Sequence, residues 1–297
     1  YQGDWAEGQI NGKGILTQPN GDLYEGSFKD GLRDGQGKLT HKNGDIYYGA
    51  WAKDHRQGQG SFTTTDGFKY EGAWVAGRME GTGSITYPDG SVYIGAMKAD
   101  QPNGQGAITY PDGSTYQGNW AAGVISGEGR ATYKDGRVYE GSFKQAKPDG
   151  KGLMTYPDGY RYEGDWVAGE RQGVGSAVYP DESLYKGEFK AGLRDGQGEF
   201  STTDGFKYVG AWVAGQIEGQ GVATYPEGDI YEGLFKAGKR EGQGKLTYAS
   251  GEVAEGIWQN GILTAPPEAP AEAAPAEGEA PVAPAEGTAP AEPATTP

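Results

Sequence analysis

The chain has 297 residues, 26 Lys and Arg against 41 Asp and Glu, and a formal charge of −15. It holds no cysteine, which excludes disulfides and thiol catalysis. The negative charge opposes nucleic acid and anionic lipid through long-range repulsion.

A fixed period runs from the first residue. Tyr1, Tyr24, Tyr47, Tyr70, Tyr93, Tyr116, Tyr139, Tyr162, Tyr185, Tyr208 and Tyr231 recur every 23 residues, and a partial unit opens at Ala254. Trp5, Trp51, Trp74, Trp120, Trp166, Trp212 and Trp258 share one phase of this period, and Phe28, Phe143, Phe189, Phe235 and Met97 fill it elsewhere. A period of this length marks an array whose units pack on their neighbours.

Within a unit, Tyr70-Glu-Gly72-Ala-Trp74 alternates with period two, and so does Gly81-Thr-Gly83-Ser-Ile85-Thr-Tyr87. Such alternation predicts half-buried strands. Asp-Gly and Asn-Gly dipeptides close most units as tight turns. Each unit therefore reads as one β-hairpin, with no helical periodicity anywhere. The predicted fold is all-β: an elongated, twisted single-layer antiparallel meander of stacked 23-residue hairpins. At about 4.8 Å between strands, eleven units extend on the order of 100 Å. Tyr, Trp or Phe and aliphatic side chains share one face with glycines such as Gly72 and Gly83, where a missing Cβ leaves room for a ring to lie over the backbone. Glu, Gln, Ser, Lys and Thr occupy the other face.

The Tyr-x-Gly-x-Trp/Phe, Gly, Gly-x-Gly, Thr-Tyr, Asp-Gly pattern resembles the MORN repeat (membrane occupation and recognition nexus), in its bacterial type, over residues 1 to about 263. The resemblance implies a single-layer sheet of stacked hairpins and roles in protein assembly and, in some members, membrane association. It departs where Asp54, Asp100 and Ala146 replace a loop glycine and Glu182 replaces a turn glycine. Some proteins with these repeats also carry a lipid-kinase domain, but no segment here matches one.

Residues 264–297 hold six Glu, nine prolines and no Lys or Arg. This composition predicts a disordered, acidic, partly polyproline-like tail after the array of residues 1–263. The start at Tyr1, without Met, implies a removed leader or a trimmed chain. With the Pro-Ala-Glu tail it points to the periplasm or cell envelope of a bacterium, with the cytoplasm as the alternative.

Candidate sites are few. Gly31 to Lys38 looks like a phosphate loop but leads into a strand rather than a helix. His41 occupies a slot that is Tyr in most other units, and His55 has no nucleophile in register. Glu25, Glu71, Glu140, Glu163, Glu232 and Glu255 form a ladder on the polar face rather than an isolated catalytic pair. The Asp-Gly turns lack the ligand density of a calcium loop. No catalytic residue, metal site or cofactor is expected. Two candidate surfaces remain. One is an aromatic row, Tyr70, Trp74, Tyr93, Tyr116, Trp120, Tyr139 and Trp166, suited to stacking on a sugar or capturing a peptide. The other is a loop edge of Arg33, Arg56, Arg171, Arg194 and Arg240, in a slot that is Ile10, Met79, Ile125 or Ile217 in other units. The expected function is a non-enzymatic scaffold for a protein partner or for itself as a dimer. The alternative is a cell-wall glycan or membrane-surface binding module.

Overall fold

The computed structural model describes residues 1–265 and contains strands and turns alone among them. The expected tail lies outside the described residues, apart from Thr264 and Ala265, which belong to the last strand, Ile262–Ala265. The described residues form 24 strands. The first hairpin is β1 (Gln2–Ala6) with β2 (Gln9–Thr17), the second β3 (Leu23–Lys29) with β4 (Leu32–Thr40), and the third β5 (Ile46–Ala52) with β6 (His55–Thr63). The chain divides into two units, Tyr1–Ala146 and from Lys147 onward. Within each, successive strands pair antiparallel in a meander, as the period-two alternation requires.

Two kinds of turn alternate. Inside a hairpin, Asp30 and Gly31 alone connect β3 to β4, both with positive φ (51° and 81°). This is the pairing of dihedrals that matches strand twist in a two-residue hairpin loop. Between hairpins the chain takes a longer turn, in which the N–H of Gly44 donates to the carbonyl of His41 and the N–H of His41 to the carbonyl of Asp45. Asp54 and Asp100, in the slot of a loop glycine, accept positive φ (69° and 71°) and put their carboxylates to use. Asp54 accepts from the Arg33 backbone N–H and Nε at 2.9 Å, and Asp100 from the Met79 N–H at 2.8 Å.

The two glycines of each Gly-x-Gly differ in purpose. Gly58 sits in a bulge with φ +71°, where β6 carries extra residues opposite β5. Gly60 pairs with Gly49 and Gly72 in regular register, and a Cβ there would meet the Tyr47 ring at 2.5–2.8 Å. The first glycine serves backbone conformation, and the second clears space for a tyrosine.

Neighbouring repeats are tied along the hairpin-turn edge. The N–H of Gly77 donates to the carbonyl of Arg56, and the N–H of Ala76 to Gln57 Oε1 at 3.0 Å. The same capping recurs from Ala99 to Glu80, Ala191 to Gln172 and Ala237 to Glu218. Turn N–H groups that a lone hairpin would leave to water are thus satisfied by the preceding repeat, which makes each unit dependent on its neighbour.

Candidate functional site

The expected aromatic row lies on the inner face and is covered. Tyr70, Tyr93 and Tyr139 are fully buried (0% exposed), Trp74 and Tyr116 are 2% exposed, Trp166 4% and Trp120 7%. Each has an edge-on ring neighbour. The Tyr47 ring meets Trp51 of its own repeat and Trp74 of the next edge-on, both at 5.2 Å between centroids. Edge-to-face contact is the arrangement the ring quadrupole favours. Polar atoms are satisfied locally: Tyr70 Oη donates to the carbonyl of Ala73 at 2.8 Å, and Trp74 Nε1 to that of Gly60 at 3.2 Å. Burial pushes the phenols of Tyr47, Tyr70, Tyr93 and Tyr116 up to about 12. The rings therefore spend their faces on one another and on the glycine backbone.

The arginine column is also drawn inward. Arg33, Arg56, Arg171, Arg194 and Arg240 lie near the start of strands rather than in loops, each paired across the hairpin with an aromatic, as Arg33 is with Phe28. Arg33 stands 4.2 Å from the Trp51 ring centroid, Arg56 4.3 Å from Trp74, Arg194 4.3 Å from Trp212 and Arg240 4.4 Å from Trp258. Arg171 stacks on Phe189 at 5.6 Å. Four of the guanidinium groups, those of Arg33, Arg171, Arg194 and Arg240, reach the turn of the following repeat: Arg194 Nη2 donates to the Gly215 carbonyl at 2.9 Å, and Arg240 Nη2 to Gly261 at 3.0 Å. Burial lowers the Arg56 pKa. Planar stacking with hydrogen bonding to a carbonyl suits arginine and not lysine. The column acts as a clamp between repeats. Other slots on this column hold apolar side chains, such as Ile125 and Ile217, both buried.

The glutamate ladder is solvated, and two of its members are paired. Lys69 Nζ lies 2.7 Å from Glu71, and Arg130 Nε 2.7 Å from Glu140. His41 Nδ1 lies 3.1 Å from Asp22, whose pKa is lowered first by the Lys42 backbone N–H and then by Asn20 and His41. Gly31 to Lys38 runs from a two-residue turn into β4, with no helix N-terminus to meet a phosphate. Among the described residues, no group of three or more His, Cys, Asp or Glu is placed to hold a metal, and no helix is long and apolar enough to cross a membrane.

The outer face holds residues that the alternation pattern assigned to a polar surface. Tyr48 (59% exposed), Ile94 (63%) and Val209 (46%) occupy the phase that is Glu71 or Glu140 in other repeats, and Val174 (61%) stands on a neighbouring column. Their signal in the sequence was an apolar residue in a slot that is polar or charged in most other repeats. Across the first repeats the outer face also carries a depression of about 490 Å³, floored by Gly14, Gly26 and Gly37 and bordered by Ile15, Gln36 and Tyr48.

A sheet of stacked hairpins held by rings on glycines and by inter-repeat arginine clamps defines a β-hairpin repeat protein. Eleven stretches match the MORN repeat, at residues 1–23, 24–46, 47–68, 70–92, 93–115, 116–136, 139–159, 162–183, 185–206, 208–230 and 231–253. The chain belongs to the MORN repeat family. Comparison with curated proteins gave no match. Among solved structures, the chain is similar to the TCP domain of SAS-4 (dCPAP) of Drosophila melanogaster in complex with a proline-rich motif of Ana2 (dSTIL), at 14% identity and TM-score 0.31, covering 66% of this chain and 88% of that one. It is similar to the TCP10 domain of Danio rerio CPAP (E1021V mutant) at 18% identity and TM-score 0.28, covering 82% and 99%. A third likeness is virginiamycin B lyase from Staphylococcus aureus, at 11% identity and TM-score 0.15, covering 84% and 85%. At such identities and scores these likenesses carry no argument about function.

Proposed function

We propose that the chain is a non-enzymatic scaffold that binds a protein partner and associates with itself, through its outer face. MORN repeats in general mediate contact with proteins or membranes. The supporting observation is the division between faces: the inner Tyr and Trp rings from Tyr24 to Trp258 are buried, whereas Val174 and Val209 stand 61% and 46% exposed on the outer face of the second unit. Exposed aliphatic side chains rimmed by charge suit the centre of an interface between proteins. Val209 pairs across the strands with Val222, itself 38% exposed, which makes the apolar area contiguous there.

The test is sedimentation velocity over a wide concentration range, on the wild type and on a Val174→Asp, Val209→Asp variant. Concentration-dependent dimers in the wild type, lost in the variant while its thermal melt is unchanged, are expected. A wild type that stays monomeric at every concentration overturns the self-association. Glycan stacking needs free ring faces, which the row from Tyr70 to Trp166 does not offer; with the 62% exposed Trp5 replaced by Leu, Trp fluorescence should stay flat on adding cell-wall fragments.

A further inference from the structure

We propose that the second unit pairs outer face to outer face with a second copy of the chain, about a two-fold axis running along the array. The hairpin-loop edge of each copy then lies over the turn edge of the other. This rests on the self-association proposed above and adds its surface, orientation and register. All the residues involved lie between 147 and 265.

Apolar side chains straddle the middle of this face. In the strand Lys207–Val213 the outward residues are Lys207, Val209, Ala211 and Val213, since Tyr208, Gly210 and Trp212 are turned inward and buried. Gly210, Gly221 and Gly233 pair in line across three strands. Val209 and Val222 lie on the turn side of that line, 46% and 38% exposed. Ala211 and Leu234 lie half-buried on its loop side. A two-fold axis along the line sets Val209 of one copy over Ala211 of the other, and Val222 beside Leu234. The patch is thus complementary to itself, as a closed dimer requires. The face is also large enough. Its eleven strands, about 4.8 Å apart and about seven residues long, span about 1,100 Å², where a stable interface takes about 800 Å² from each partner.

Charge fixes the direction of the axis. The turns 156–160, 179–183, 202–206, 225–229 and 248–252 hold seven carboxylates and no Lys, Arg or His. The opposite edge, at 167–170, 190–193, 213–216, 236–239 and 259–262, holds Lys190, Lys236 and Lys239 against Glu170 alone. With the axis along the array, a basic edge lies over an acidic one twice in the dimer. With the axis along the strands, the other face-to-face arrangement, lysines lie over lysines and carboxylates over carboxylates, and like charges oppose it. The net negative charge of each copy is screened beyond about 8 Å at physiological ionic strength, so the charges brought into contact decide.

Register follows from the shared period. An axis along the array leaves each strand over the same strand of its partner, so both edges keep step at about 9.6 Å per repeat. No other partner matches this pitch by construction. Lys190 then lies over the turn 179–183, with Asp181 and Glu182, and Lys236 over the turn 225–229, with Glu227. Glu182 stands where the other turns have glycine, and takes a φ of +66°. Left-handed backbone is unfavourable for a residue with a Cβ. Strain kept at an exposed position points to a contact that uses the side chain, and Lys190 of the second copy supplies that contact.

Two measurements on the full chain test this. Ala214 is exposed at a hairpin loop, and Ala214→Cys takes a unique spin label because the chain has no cysteine. It lies four residues, about 14 Å, from Gly210 on the axis, so with about 10 Å between the sheets the two labels of a dimer should stand about 29 Å apart. An axis along the strands through the same patch would bring them to about 10 Å. The second measurement is a charge swap read by sedimentation velocity. Lys190→Glu with Lys236→Glu should weaken dimerisation about tenfold, since four edge pairs are reversed in each dimer. Adding Glu182→Lys and Glu227→Lys should restore it. All four residues are exposed, so the thermal melt should stay unchanged. In a chain that still dimerises, labels about 10 Å apart, or a swap that restores nothing, overturn the arrangement and leave the self-association standing. A chain that is monomeric at every concentration overturns both and leaves the face to a different partner.

Discussion

Replacing Gly60 with Ala isolates the part of the fold that depends on space rather than on backbone freedom. An ideal Cβ at Gly60 would lie 2.5 Å from Tyr47 Oη and 2.8 Å from Cε2 and Cζ, where ordinary contact needs about 3.4–4 Å. The ring must therefore lift by roughly 1 Å. It cannot do so freely. Tyr47 is fully buried, its Oη donates to the Ala50 carbonyl at 2.8 Å, and Trp51 and Trp74 hold it edge-on at 5.2 Å. Overpacking of this kind costs about 1–3 kcal/mol, and a strained or lost hydrogen bond adds about 0.5–1.5 kcal/mol. The expected destabilisation is about 2–4 kcal/mol. Gly58→Ala tests the other requirement. Its φ of +71° is unfavourable for Ala, but the nearest atom is the Ala50 Cβ at an ordinary 3.5 Å. Its cost should be about 1–2 kcal/mol, that of a left-handed residue.

Urea unfolding followed by Trp fluorescence measures both. Trp51 and Trp74 report on the repeats concerned, so a transition confined to part of the array is still seen. The decisive comparison is a double-mutant cycle with Tyr47→Leu. If the cost of Gly60→Ala arises from the ring, it should shrink markedly once Tyr47→Leu has removed that ring, whereas that of Gly58→Ala should not. Additive effects at Gly60, or a loss under about 0.5 kcal/mol, would refute the assignment of space to the second glycine.

Three further outcomes are expected. Arg194→Lys should cost about 1–3 kcal/mol by thermal or chemical unfolding, because Lys cannot both stack on Trp212 and reach the Gly215 carbonyl; a neutral result would return the arginine column to the solvent. For alkaline pH, the buried phenols of Tyr24, Tyr47, Tyr70, Tyr93, Tyr116 and Tyr231 rise to about 12 from an ordinary 10. A raised folded-state value contributes stability that is complete below pH 10 and is lost as pH climbs towards 12. Phenolate absorbance should then appear together with loss of the far-ultraviolet strand signal, and gradual titration of an intact sheet would contradict it. Glu80→Ala removes the acceptor of the Ala99 N–H at 3.0 Å and should cost about 0.5–1.5 kcal/mol, read as a lower melting temperature.

The fold was legible because repetition multiplies a weak signal. One Tyr-x-Gly-x-Trp is an ordinary strand fragment, but at constant phase over eleven units it specifies strand, face and register together. Even so, the two glycines of each Gly-x-Gly look alike in sequence. Only the register, with the bulge at Gly58 and regular pairing at Gly60, separates the one that bends from the one that makes room. The arginines were harder to place. Read by charge alone, Arg194 belongs at a loop tip, yet it is 1% exposed. The pointer was there: the same slot holds Met79, Ile125 and Ile217, and a position that exchanges Arg with Ile is apolar along its stem.

The same logic locates candidate function more narrowly than the aromatic row could. A side chain that every repeat shares at one phase is explained by the contact that every repeat makes, and the rings, glycines and turn caps are all of this kind. Packing has no use for Tyr48, Ile94 or Val209, each set outward in a column that neighbouring repeats fill with Glu71, Glu140 or Glu232. Exposing an aliphatic or aromatic side chain where its siblings carry charge forgoes solubility and gains no burial within the repeat. In an array whose inner face is committed to packing from Tyr24 onward, departures from the repeat on the outer face are where binding energy for another surface can reside. Substituting those few positions should alter association while leaving the melt untouched.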